Sequence, residues 1–465
     1  MPVSWATFGG DLHVEITGAR PRQDLEDQVR QAIRDGRLRP GARLPSSRQL
    51  ARDLQLARNT VAHAYDQLVA EGWLAARSGA GTWVAEHHAS SPERPKRLDE
   101  PRPPRLDLRP GHPDVSAFPR SAWLAAARRA LASASHTSLG YGDPRGHPEL
   151  RTALAEYLGR VRGVLAAPDH IVICPGVTQG LQLVCEVLRE RGASRLVMEG
   201  YGHPLHRGLV ERSGLAVSTT DVDEQGAIVD DVPPGDALLL TAAHQFPLGV
   251  ALSPVRRRAA VHLATTAGTI LIEDDYDGEF RYDRTAVGAL QALAPDHVIY
   301  AGTASKSLAP GLRLGWLVLP APMVDDVVAA KQASGRLPSS IEQLTLAELI
   351  TSGGYDRHIR RLRLAYRRRR DRLVATMEQM ASPPRVTGIA AGLHALVELP
   401  PGVDEAETVA RAARHGLAID GLTTYTAPGH TRAPALVVGY STPPESMFGT
   451  ALATLRSVVQ PRGAG

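Results

Sequence analysis

Lysine is rare in this chain: only Lys96, Lys306 and Lys331 occur among its 465 residues. Lys306 falls in TASKSLAPGLRLGW, between an apolar run and a glycine-rich turn. Hydroxyls flank it at Thr303 and Ser305, and Arg313 follows seven residues on. An amine so placed can form an imine with an aldehyde. The neighbouring hydroxyls and guanidinium can hold a phosphate on the same molecule through charge-assisted hydrogen bonds.

Three further motifs suit such a ligand. CPGVTQ (174–179) follows an apolar run and opens a helical pattern, so the N–H groups of Val177 and Thr178 fall at a helix N-terminus, where anions bind. ILIEDDYDGEF puts Asp274 and Tyr276 at a strand end, where a carboxylate can keep a pyridine nitrogen protonated. AAHQFPLG offers His244 and Gln245, before a turn at Pro247 and Gly249, as a polar handle for a ring oxygen. Singly, each has a structural explanation: a surface lysine, a glycine turn before a helix, a solvated acidic run. All four in this order call for pyridoxal 5′-phosphate (PLP).

The elements that must carry these residues read as α/β. Apolar runs HIVICPG, RLVMEG, DALLLTAA, TILIEDD, HVIYAGT and LGWLVLP alternate with helical patterns. The expectation is a largely parallel sheet with ligands at the carboxyl ends of its strands. The helical, arginine-dense stretch HIRRLRLAYRRRRDR (358–372) reads as a surface helix of a small C-terminal subdomain, with a role toward nucleic acid or a phosphorylated ligand left open.

The first ninety residues are of another kind. Asp24 to Asp35 forms an amphipathic pattern of Leu25, Val29 and Ile33. Ser46 with Gln49 makes a capping-box pattern for a second helix, a third runs from about Arg58 to Gly72, and Trp73 to Val84 alternates as a hairpin around SGAG. Three helices and a hairpin make a winged helix-turn-helix, whose third helix reads the major groove. Net charge is only +4, but seven arginines against two aspartates are concentrated between Arg34 and Arg58. Arg43, Arg48 and Arg52 surround the second helix, Arg58, Asn59, Thr60 and His63 occupy the first turn of the third, where side chains reach bases and phosphates, and Arg77, Gly79 and Gly81 form the wing tip. A helical dimerisation cap with a solvated arginine face is the alternative. Proline and charge in HHASSPERPKRLDEPRPPR separate the halves. The expected organisation is a DNA-binding domain at 12–86, a linker at 87–105 and an effector domain at 106–460.

Cys174 and Cys185 supply neither a disulfide framework nor a metal-ligand cluster. No run approaches the length of a membrane span, and no leader pattern opens the chain, so no metal, no membrane and a cytoplasmic location are expected.

The stretch from Leu38 to Val84 closely resembles the DNA-binding domain of GntR-family regulators. GYGDPRGHPELR, HQFPLGV, EDDYDGEFRY and SKSLAPGLRLGWLVLP resemble the MocR/PdxR subfamily, which fuses that domain to a fold-type I aminotransferase-like domain. The resemblance implies operator contacts from Arg43, Ser46, Arg48, Arg58, Thr60 and the wing glycines. It also implies a Schiff base between Lys306 and PLP, ring-nitrogen contact from Asp274 and ring-hydroxyl contact from Tyr276. Phosphate contacts fall to Val177, Thr178, Thr303, Ser305 and Arg313, and a homodimer is implied. Two positions depart from the pattern. His203 stands where the family usually stacks a tyrosine on the ring. Val437 stands where aminotransferases place the arginine that clamps a substrate carboxylate, which argues against efficient turnover of ordinary amino acids. The expected function is a PLP-dependent transcriptional regulator, of vitamin B6 genes. An amine-sensing regulator of a catabolic operon, an active aminotransferase and a purely structural PLP-like scaffold are the alternatives.

Overall fold

The structure, a computed structural model, describes residues 20–77, 81–86, 104–230, 232, 237–282 and 287–460. The chain divides into two units, Met1–Pro103 and Pro104–Gly465.

The first unit holds helices α1 (Pro21–Arg34), α2 (Ser47–Asp53) and α3 (Arg58–Ala70), then the antiparallel pair β1 (Leu74–Arg77) and β2 (Gly81–Val84). One core of Leu25, Val29, Leu50, Val61, Leu68 and Leu74 draws on all three helices and the hairpin, as spacing of three and four dictates. Arg30 on α1 donates to both carboxylate oxygens of Glu71 at 2.8 and 2.7 Å, fastening α1 to the end of α3. The capping box forms only by half. Ser46 accepts from Gln49 N at 3.2 Å, but the Gln49 side chain donates to Asp53 instead of returning to Ser46.

The second unit centres on a seven-stranded sheet. Its strands are β3 (Ile171–Cys174), β4 (Arg195–Glu199), β5 (Ala216–Thr220), β6 (Ala237–Leu240), β7 (Leu271–Asp274), β8 (Val298–Thr303) and β9 (Gly315–Val318). Their order is β3-β9-β8-β7-β6-β4-β5, with β9 antiparallel to both neighbours. Every residue of β3, β6, β7, β8 and β9 is buried. That explains the unbroken apolar runs in the sequence: a parallel sheet covered on both faces has no polar side to alternate with. β5 was not expected; AVSTT is half exposed at the sheet edge and carries no such run. The helix α4 (Val177–Glu190) opens three residues after β3, and α5 (Pro204–Arg212) follows β4.

The arginine-dense stretch differs from the surface helix expected. It lies in the 25-residue helix α6 (Gly354–Glu378), whose buried residues Tyr355, Ile359, Leu362, Tyr366, Leu373 and Met377 form a continuous stripe. Arg369 falls on that stripe, 2% exposed. A small sheet follows, built of β10 (Val386–Thr387), β11 (Ala395–Glu398), β12 (Asp420–Gly421) and β13 (Ala435–Val438) in the order β10-β11-β13-β12. Among the described residues, no helix is long and apolar enough to cross a membrane.

Candidate ligand-binding and DNA-binding sites

Four strand ends and one helix start meet around a cavity of about 370 Å³. Glu199 ends β4, Thr241 follows β6, Asp274 ends β7 and Thr303 ends β8, while Val177 and Thr178 open α4. Lys306, Ser305 and Arg313 line it from the turns between β8 and β9.

The Lys306 amine donates to the Gly111 carbonyl oxygen. Burial lowers its pKa, and the charges of Asp274 and Asp277 oppose that. Burial likewise pushes the Asp274 carboxyl up to about 7, with Lys306 acting the other way. Asp274 Oδ1 is buried and has no hydrogen-bond partner among the described residues. A buried acceptor left unpaired is costly, and a protonated ring nitrogen is the kind of donor that would satisfy it.

Facing these groups is a cradle suited to an anion. Gly176, with φ +93°, precedes α4, and a Cβ built on it would lie 3.5 Å from the Arg313 guanidinium. A Cβ on Gly315 would lie 2.8 Å from Val177 N, so only glycine lets β9 approach the helix start this closely. The first N–H groups of a helix have no partner within it, and here the residues that carry them line the same cavity as the Arg313 guanidinium. Arg313 itself has φ +51°; the other non-glycine residue with positive φ among those described is Gln55, in the turn between α2 and α3. The Thr303 hydroxyl is already engaged, accepting from Ser305 N at 3.0 Å and donating to Leu314 O at 3.3 Å, so it shapes the turn.

His203 lines the cavity as the cap of α5, its Nδ1 accepting from Leu205 N at 3.2 Å. His112 and His206 line it too. Burial first, with the Lys306 charge adding to it, lowers the pKa of all three, that of His206 to about 4. The rim is therefore made of neutral imidazoles near pH 7.

One placement corrects the sequence reading. His244 does not line the cavity: its ring is buried, and it touches Tyr276, which does. Phe246, two residues on in the same motif, lines the cavity instead. Gly111, His112, Glu199 and His206 also line it and were missed. Glu199 lies four residues before His203 and His206 three after it, whereas Gly111, 195 residues from Lys306, and His112 belong to a loop with no local signal. Val437 is fully buried with Tyr201, Phe246, Leu396 and Tyr425.

In the first unit, Arg58, Asn59 and His63 are exposed on the first turns of α3, with Thr60 half-buried beside them. Arg43, Arg48, Arg77 and Gly81 are exposed as well, and Ser46 caps α2. The guanidiniums of Arg43 and Arg77 lie 5.8 and 6.0 Å from the Trp83 ring centre. Gly79 lies outside the described residues, as does the linker from 87 to 103.

Two family patterns match the chain: bacterial regulatory proteins of the gntR family over residues 21–84, and aminotransferase class I and II over residues 106–435. The HTH-type pyridoxine biosynthesis transcriptional regulator PdxR of Corynebacterium glutamicum is 34% identical over 395 residues, covering 83% of this chain and 86% of that protein. The probable rhizopine catabolism regulatory protein MocR of Rhizobium meliloti is 34% identical over 377 residues, 76% of each. Among solved structures, an archaeal alanine:glyoxylate aminotransferase superposes with a TM-score of 0.69 at 25% identity, covering 76% of this chain and 90% of that one.

Proposed function

Because the chain belongs to the MocR/PdxR-type transcriptional regulators, in which a GntR DNA-binding domain is joined to an aminotransferase class I and II domain, we propose that it binds operator DNA as a homodimer and senses PLP in the cavity around Lys306. The observation that carries this reading is the pairing, in one cavity, of the Lys306 amine with the unpartnered Oδ1 of Asp274.

When bound, PLP supplies an aldehyde with which an amine condenses and a ring that draws electrons from what is attached to it. Lys306 is the amine that would hold it. Its depressed pKa raises the share of the neutral, nucleophilic form, and Gly111 O orients the nitrogen. Asp274 would keep a proton on the ring nitrogen, and Tyr276 would meet the ring oxygen. The α4 N-terminus, Ser305 and Arg313 would hold the phosphate.

Aminotransferases of this class need a guanidinium for the substrate carboxylate. Val437 instead completes an apolar cluster with Phe246 and Tyr425, which supports the cofactor itself as effector rather than an amino acid. The printed name of the Corynebacterium glutamicum relative supports vitamin B6 genes as targets. A ligand shifts a regulator only by its difference in affinity for two states. Operator affinity and footprints measured with PLP-free and PLP-loaded protein are therefore expected to differ, and identical values would overturn the proposal.

A further inference from the structure

Directly behind Tyr276, and outside the cavity, lies a pair that the cofactor reading leaves without a role. His244 Nδ1 is 2.8 Å from Asp277 Oδ2 and 3.2 Å from the Tyr276 oxygen, while the Tyr276 hydroxyl donates to the His244 carbonyl at 3.0 Å. His244 and Asp277 are 3% and 2% exposed, so water does not mediate between them. The imidazole is wedged in place. A Cβ on Gly392 (φ +75°) would come within 2.1 Å of its Cε1, and one on Gly249 (φ +73°) within 3.5 Å of its Nε2. The His394 ring lies 4.9 Å away, tilted by 40°, and is itself held at Pro247 O.

A carboxylate held against Nδ1 favours the form that carries its proton there. With a carboxylate at Nδ1, the Nδ1–H form makes a charge-assisted hydrogen bond. The other form would aim a lone pair at Asp277 and leave a buried Nε2–H with no acceptor among the described residues. Tyr276 therefore meets a donor at Nδ1, not an acceptor, and its own proton is left for the His244 carbonyl or for a ligand in the cavity.

We propose that Asp277, acting through the Nδ1–H form of His244, keeps the Tyr276 hydroxyl available as a hydrogen-bond donor to the ring oxygen of the ligand bound beside it. Asp277 and His244 are thus positioning residues. The inference rests on the reading that PLP occupies the cavity. The groups facing Tyr276 are Asp277 and Asp274 beside it, Glu199 from β4, Tyr440 and His244. Burial and then the charges of Asp277, Asp274 and Glu199 hold the phenol well above its ordinary pKa, so it stays protonated.

The test is an absorbance titration of the PLP-loaded full chain across the neutral range. Replacing the carboxylate by an amide, in Asp277→Asn, lets His244 take its proton at Nε2 and accept from Tyr276, which turns that hydroxyl away from the ligand. The midpoint of the cofactor band is expected to rise by about one pH unit, a tenfold change. Tyr276→Phe should give the same rise, the double variant no more than either, and Asp277→Glu most of the wild-type value. An Asp277→Asn midpoint equal to wild type, or additive shifts in the double variant, would overturn the proposal. Absence of any Lys306-dependent band in wild type would instead overturn the cofactor reading, and this inference with it. Nitrogen-15 NMR of histidine-labelled, PLP-free protein, with the signal assigned through His244→Gln, provides a readout that needs neither cofactor nor the Asp277 variant. A proton on Nδ1 is expected, and a proton on Nε2 would overturn the inference.

Discussion

The Lys306 amine donates to the carbonyl oxygen of Gly111, a residue on the first segment of the effector unit. That segment is stitched down along its length. Leu106 and Asp107 pair with Leu417 and Ala418, Gly439 N donates to Leu108 O at 2.7 Å, and Ser441 donates to His112 O at 2.7 Å. Gly111 takes φ +88°, a conformation that costs an L-residue about 1–2 kcal/mol, while a Cβ there would sit at ordinary contact distance, 3.7 Å, from Lys306 Nζ. Gly111→Ala is therefore expected to lower stability by about that much in thermal unfolding and to leave the PLP absorbance band in place. Loss of the band without loss of stability would show that the carbonyl, not the backbone conformation, is what matters.

A second prediction concerns pH. Burial raises the carboxyls of Glu199, Glu273, Asp274 and Glu279 to about 7 in the PLP-free protein. Through these carboxyls the folded state binds more protons than the unfolded chain between about pH 4 and pH 7, so they make stability fall as pH rises through that window, opposed below about pH 6.5 by buried His206, His358 and His394, whose pKa values burial lowers. Each glutamate accounts for roughly 3 kcal/mol and Asp274 for roughly 4 kcal/mol at most, since one pKa unit is worth about 1.4 kcal/mol. Melting temperatures of PLP-free protein should be higher at pH 5 than at pH 8. Asp274→Asn should flatten part of that slope, and a melting temperature that rises from pH 5 to pH 8 would contradict the assignment.

The strands that carry the cavity were legible because a sheet buried on both faces writes itself as uninterrupted apolar residues, and residues that line the cavity sit at the ends of those runs. Lys306, Asp274, Thr178 and Arg313, read from the ends of those runs, all line the one cavity. Position alone could not distinguish His244 from Phe246, two residues apart in one motif. Which of them faces the cavity depends on how Gly249 and Gly392 wedge the histidine, and Gly392 is 148 residues away. Gly111 has the same character, since its partner is far off in sequence and its loop has no periodicity. The hairpin of the first unit was legible from alternation, but the closeness of Arg43 to the wing strand was not.

That closeness gives a third prediction. A Cβ on Gly81 would lie 3.2 Å from Arg43 Nε, in a backbone conformation of φ +124° that side chains rarely adopt. Gly81→Ala should push Arg43 off the Trp83 face and weaken operator binding at every sequence alike, as loss of a phosphate contact does. The salt dependence of log affinity should become shallower by about one unit. Unchanged affinity and slope in a folded variant would place Arg43 outside the interface.

Arginine runs usually solvate a helix face, and within HIRRLRLAYRRRRDR the exception is Arg369. Its guanidinium donates to Asp114 Oδ2 at 2.8 Å, to Glu445 Oε2 at 2.8 Å and to Pro443 O at 2.8 Å, and it lies 5.4 Å from the Phe448 ring centre. Asp114, 5% exposed, would be left as an uncompensated buried charge if the guanidinium were removed. Breaking such a pair from one side typically costs about 3–5 kcal/mol, whereas an exposed charge is worth under about 1 kcal/mol. Arg369→Ala should therefore lower unfolding free energy several-fold more than Arg367→Ala, whose side chain is 60% exposed. Because Asp114 lies three residues after Gly111, the same variant should also reduce the PLP-dependent absorbance, and restoring the balance with Asp114→Asn should recover part of both. Equal, small effects of the two arginine substitutions would mean that the buried network does not hold the segment against the cavity.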